Sequence, residues 1–132
     1  MEKLSRNIVV TASVLGAVTI AVGAFGAHGL KEMVGAESLA TFETGVRYQM
    51  YHVLALMVVG LSGKVAKDTK KWVFRFFGFG MLLFSGSIYV LALKALMPFS
   101  VSFLGPITPI GGLLFVAGWI RLAYGLLTFH RG

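Results

Sequence analysis

Four apolar stretches of membrane-spanning length occupy most of this 132-residue chain. They read Ile8–Ala27, Val46–Leu61, Trp72–Leu93 and Pro109–Phe129. Crossing a hydrocarbon layer roughly 30 Å thick takes about 20 helical residues, so almost nothing is left for a soluble domain. Lipid gives backbone amides no partner outside a helix or a closed barrel. Barrel strands would alternate polar and apolar residues, and runs such as Ile8-Val9-Val10 and Leu113-Leu114-Phe115-Val116 do not. The sequence therefore predicts an all-α integral membrane protein, residues 1–132 forming one four-helix transmembrane bundle.

The placement of cations sets the expected orientation, because Lys and Arg concentrate in cytoplasmic connections. One side collects Lys3, Arg6, Lys64, Lys67, Lys70, Lys71, Arg75 and Arg131; the other has only Lys31, Arg47 and Lys94. Eight against three puts both termini in the cytoplasm. The same segregation argues against reading the net charge of +7 as a nucleic-acid surface. Lys3 and Arg6 before an apolar run suggest a signal peptide, but a run of about 20 residues exceeds the 7–15 of a signal core. A retained first helix is expected. The chain has no cysteine, which excludes disulfides, thiolate metal sites and thiol chemistry.

Helix punctuation fits these boundaries. Thr108-Pro109 reads as an N-cap followed by proline at the first helical position, and Asp68 as a cap for the third span. Trp72 and Trp119 are expected near the cytoplasmic interface, with Arg121 within snorkelling reach of it. Gly111, Gly118 and Gly125 recur every seven residues in the fourth span, as Gly16 and Gly23 do in the first. Such a repeat keeps one seam toward a neighbour, and small residues let membrane helices approach closely. These five are read as helix-packing positions. Between the first two spans, Leu30, Met33 and Val34 suggest a short amphipathic piece on the outer surface. The rhythm Leu39, Phe42, Val46, Met50, Leu54 extends the second helix back to near Glu37.

Polar residues gather toward one end. His28 closes the first span; Glu43, Thr44, Arg47, Tyr48, Gln49, Tyr51 and His52 lie in the second; Ser85, Ser87 and Tyr89 lie in the third; Thr108 opens the fourth. Facing lipid, such side chains are costly, so they are expected to turn inward at the depth of the outer leaflet. Glu43 precedes Arg47 by four residues, the favourable order for an ion pair. Two readings stand side by side: a polar pocket open to the outside, or a hydrogen-bonded network tying four helix ends together. His28 also suits a helix carboxyl end, the tyrosines suit an interfacial belt, and His52 suits a satisfied core position.

Signs of chemistry are weak. His28 and His52 lack the paired spacing of a zinc helix, and no close carboxylate pair joins them. No serine sits in a glycine elbow and no glycine loop follows a strand. No catalytic residue, metal or cofactor is expected.

Four ordered segments carry a resemblance over nearly the whole chain. They are Gly23-Ala24-Phe25-Gly26-Ala27-His28-Gly29-Leu30, Phe42 through His52, Leu83-Phe84-Ser85-Gly86-Ser87-Ile88-Tyr89, and Gly105-Pro106-Ile107-Thr108-Pro109-Ile110-Gly111-Gly112. The chain resembles the YgdD/YwdK-like family of small bacterial membrane proteins, with no departure at these positions. The resemblance implies four spans in the inner or plasma membrane and no established activity, so it transfers no catalytic role. All four segments coincide with the polar end. The expectation is a non-enzymatic protein serving membrane or envelope integrity through helix, lipid or partner contacts. A transporter or channel subunit, working as a homo-oligomer, is the alternative. The basic connection Lys64–Arg75 reads first as a topology signal and second as a contact for anionic lipid.

Overall fold

A computed structural model describes residues 1–129, and all regular structure in that range is helical. Arg131, counted above among the cations, lies outside it. Helix α1 spans Lys3–Ala27, α2 Ala36–Leu61, α3 Lys67–Gly80, α4 Gly86–Ala92 and α5 Ile107–Leu127. A single π-helical turn, Met81–Ser85, joins α3 to α4, so Lys67–Ala92 forms one rod. Three segments are long and apolar enough to cross a membrane: Lys3–Glu32, Lys67–Ala92 and Ser102–Leu127. Helix α2 is as long, at 26 residues, but its first half is too polar to qualify on composition.

Two antiparallel hairpins build the bundle. In the first, α1 lies along α2 in a register readable from glycines. A β-carbon on Gly60 would stand 2.7 Å from Val9, one on Gly16 3.6 Å from Val53, one on Gly23 3.3 Å from Val46, and one on Gly26 2.8 Å from Phe42. In the second, α5 lies along the rod. A β-carbon on Gly118 would stand 2.5 Å from the Phe77 ring, one on Gly125 would press on Thr69, and one on Gly111 on the backbone of Leu83 and Phe84. The seven-residue spacing in α5 thus keeps one seam on its neighbour. Gly26, Gly45, Gly60 and Gly80 sit in contacts as close, although they carry no such repeat. Gly16 is in ordinary van der Waals contact only.

The hairpins meet through α2 and the rod. Ile8, Ala12, Val53, Leu56, Val59, Val73, Phe77, Met81 and Phe115 form the main core. Large apolar side chains such as Ile20, Val58, Leu82, Leu113 and Ile120 stay exposed on the outside, as befits a surface bathed in acyl chains.

Several helix ends differ from expectation. Helix α5 starts two residues before Pro109, with Pro106 at its N-cap. Thr108 spends its hydroxyl on Ser87 and the Leu104 carbonyl instead of capping. Asp68 lies inside the first turn of α3, capped by Ala66, and pairs with Lys71 and Arg121. The piece expected on the outer surface is a 3-10 turn, Leu30–Glu32. Leu30 is fully buried with Phe42 and Ala92, closing that end of the bundle, while Met33 is exposed.

Candidate functional site

The end of the bundle holding Lys3, Gly63 and Lys67 is called the basic end, the opposite one the far end. Polar side chains inside the bundle occupy three levels between them.

Nearest the far end, Gln49 on α2 is buried and bridges three helices. Its amide donates to Thr19 of α1 at 2.7 Å, and Tyr89 of α4 donates to its carbonyl at 2.6 Å. Ser85 donates to the carbonyl of Gly45 at 2.8 Å. That approach requires glycine, since a β-carbon at position 45 would stand 2.8 Å from the Tyr89 ring. Ser87 pairs with Thr108 at 2.5 Å and also reaches the carbonyls of Leu83 and Phe84. A π turn loosens the regular carbonyl pairing of a helix, and in lipid such groups need a partner within the protein. The Ser87 hydroxyl supplies one.

About 4–5 Å deeper along α2 lies His52. Its ring stacks on Phe115 with centroids 3.7 Å apart and planes 9° apart, and Phe77 meets it edge-on at 4.8 Å. Trp119 Nε1–H stands 3.1 Å from His52 Nε2, and His52 Nδ1 stands 2.7 Å from the carbonyl of Tyr48. An indole only donates and a carbonyl only accepts. The ring is therefore the Nδ1–H tautomer, with both nitrogens satisfied. His52 stands about 14 Å from the Leu61 end of a helix about 39 Å long. It thus lies closer to the basic end of α2 than to the far end. Trp119, expected at an interface, spends its N–H here.

The third level is at the basic end. Lys70 is buried and donates to Ser5 at 2.8 Å and to the carbonyl of Gly60 at 3.2 Å. A cation on the last carbonyls of α2 also suits its dipole. Arg121 donates to Thr69 and Asp68 at 3.1 and 3.3 Å. The sequence reading overlooked Ser5, Thr19, Thr69 and Lys70. A signal existed for Lys70, which lies three and seven residues before the core positions Val73 and Phe77 on one helical face.

The remaining candidates do not join these levels. Glu43, Arg47 and Tyr51 form an exposed stripe on α2 that continues into Leu54 and Val58. Arg47 does not turn inward: it donates to Thr44 at 3.3 Å, and no Glu43–Arg47 ion pair forms among the described residues. The reason is angular, since Gly45, Gln49 and His52 claim the inward face. Tyr48 packs against Phe84 and Tyr51 with its ring partly exposed. His28 is exposed at the C-cap of α1. No three His, Asp or Glu residues among those described gather in a way that could hold a metal ion.

A family model described as "Protein of unknown function (DUF423)" matches residues 22–112. The chain belongs to the DUF423 family. Its DUF423 match takes in the first two levels apart from Thr19, Phe115 and Trp119. The chain is similar to a UPF0382 membrane protein of Haemophilus influenzae, 44% identical over 83% of this chain and 85% of that one. It is 40% identical to one of Staphylococcus saprophyticus over 85% and 92% of the two chains. It is 35% identical to the UPF0382 inner membrane protein YgdD of Escherichia coli K12, over 96% and 94%. No solved structure matches the chain. This is a bacterial-type helical membrane protein from a family without an assigned activity.

Proposed function

We propose that this DUF423 protein crosses the cytoplasmic membrane four times with both ends inside. On this reading it has no catalytic centre and works through its lipid-facing surface and helix contacts to support membrane integrity. One observation carries the reading: every buried side-chain nitrogen and oxygen among the described residues has a hydrogen-bond partner. Gln49, His52, Ser85 and Lys70 are spent on neighbouring side chains and on the backbone, leaving none aimed at a substrate. Their role is cohesion, at about 0.6 kcal/mol per interhelical bond and at most about 1.7. Helix α2 as a fourth span is supported by its length and by its burial of Gln49 and His52. The cation asymmetry supports the orientation.

At the basic turn, anionic lipid is the proposed partner. Lys70 is withdrawn into the core, and Lys67 and Lys71 pair with Glu2 and Asp68 at 3.2 and 3.5 Å. Lys64 and Arg75 remain free of carboxylates among the described residues.

A second reading, a transporter subunit acting as a homo-oligomer, draws on the Glu43–Arg47–Tyr51 stripe. The stripe leaves a polar strip of α2 uncovered within one copy, and a second copy could cover it. Flux measurements decide between the two. Purified protein in vesicles should give proton, potassium and chloride fluxes indistinguishable from protein-free vesicles at every density. Flux that rises with protein density would overturn the first reading and favour the second.

A further inference from the structure

A trough runs along the outside of the bundle between α1 and the rod. Two adjoining surface hollows of about 340 and 320 Å³ share Gly78 and Leu82 as walls and follow one another along the rod. Thr11 and Leu15 of α1 line one side, and Arg75 stands at its basic end. Gly86 lines the opposite stretch.

The floor is unusual. Most helical glycines here touch a neighbouring helix, but a β-carbon on Gly78 or Gly86 would meet nothing within 4 Å. Glycine is among the poorest helix formers, and no contact inside the protein requires it at these two positions. Their effect is to deepen the trough. The distance from Arg75 to Gly86 is about 16 Å along the helix, matching one leaflet of a hydrocarbon core roughly 30 Å thick. The wall is mainly apolar, from Phe74, Phe79, Met81 and Leu82, while Gln49 and Tyr89 border the stretch farthest from Arg75. At the mouth, Arg75 packs on Trp72 at 5.1 Å and no carboxylate pairs with it among the described residues.

We infer that the trough holds one acyl chain of an anionic phospholipid from the cytoplasmic leaflet, with the lipid phosphate on the Arg75 guanidinium. The match is of three kinds: trough length to leaflet depth, apolar walls to a hydrocarbon chain, and a free cation to a headgroup phosphate. The inference rests on the orientation and the anionic-lipid contact proposed above, and it goes further in giving that lipid its seat.

Native mass spectrometry tests it. The full chain is equilibrated in mixed micelles with phosphatidylglycerol and phosphatidylcholine of identical acyl chains, and the lipid that stays bound is counted. Wild type should favour phosphatidylglycerol by roughly five-fold, the preference one cation near the surface supports. Arg75→Gln should lose that preference while still holding lipid. Gly78→Leu and Gly86→Leu should fill the trough and lose the bound lipid of both kinds. Their unfolding midpoints in lipid-free detergent should be unchanged or higher, because leucine is the better helix former. Unaltered retention in both leucine variants overturns the trough as the seat. A lowered midpoint overturns the claim that these glycines face open space. Equal retention of the two lipids by wild type overturns the headgroup assignment. An acyl chain lost on filling the trough, but with the basic turn labelled outside the cell, would instead sink the orientation alone.

Discussion

Gly111→Ala is expected to be among the most damaging single substitutions in the bundle, lowering stability by about 3 kcal/mol or more, the upper end of overpacking costs. The added methyl group would press on the amide of Phe84 and stand 2.8 Å from the Leu83 carbonyl carbon. These are backbone atoms, so no side chain can rotate away. Helix α5 would have to lift off the π turn, losing the Ser87–Thr108 bond on one side and the Gly80–Phe115 contact on the other. Gly16→Ala is the matched comparison. Its nearest neighbour would be a Val53 methyl at 3.6 Å, and alanine is the better helix former, so that variant should be neutral or slightly stabilised. Unfolding by titrating sodium dodecyl sulfate into mixed micelles measures both. Equal effects would show that the hairpins do not pack in the register described.

His52→Ala should cost about 3 kcal/mol, in the range for removing a buried ring. It removes the stack on Phe115 and orphans the Trp119 N–H within the bundle. His52→Phe separates these effects. It keeps an aromatic face against Phe115 and loses only the acceptor, so it should cost about 1 kcal/mol. A double-mutant cycle with Trp119→Phe should then return a coupling of roughly 0.6–1.7 kcal/mol, the range for membrane hydrogen bonds. If His52→Ala left the unfolding midpoint unchanged, the histidine would be free of the core and available for binding.

How much of this was legible beforehand depended on whether the determining contact was local. The seven-residue glycine spacing in α5 is a local pattern, and it lies along the rod. The backward extension of α2 to Ala36 was equally local, written in the apolar rhythm from Leu39 to Leu54. The pairing of His52 with Trp119 was not, because the two residues lie 67 positions apart and nothing between them fixes their relative depth. Arg47 pointed outward against expectation because the sequence does not say which stripe of a mixed helix turns in. Two residues on opposite sides of α2, Arg47 and Gln49, looked equally costly beside lipid. Lys70 was hidden by its neighbours. In a run with Lys64, Lys67 and Lys71 it counted as one more topology signal, although it sits on the face that buries Val73 and Phe77. The π turn leaves no propensity mark, and only the glycines around it, Gly78, Gly80 and Gly86, hint at irregular backbone.

On the reading proposed here, α2 crosses the bilayer despite its polar first half, because Gln49 and His52 are sheltered by neighbouring helices. Absence of native cysteine makes this directly testable with single Glu37→Cys and Gly63→Cys variants, at exposed positions flanking the two ends of α2. In intact cells, or spheroplasts where an outer membrane intervenes, a membrane-impermeant maleimide should label Cys at 37 at once. Cys at 63 should react only after the cytoplasmic membrane is permeabilised. Labelling of both positions from the same side would mean that α2 does not cross the bilayer.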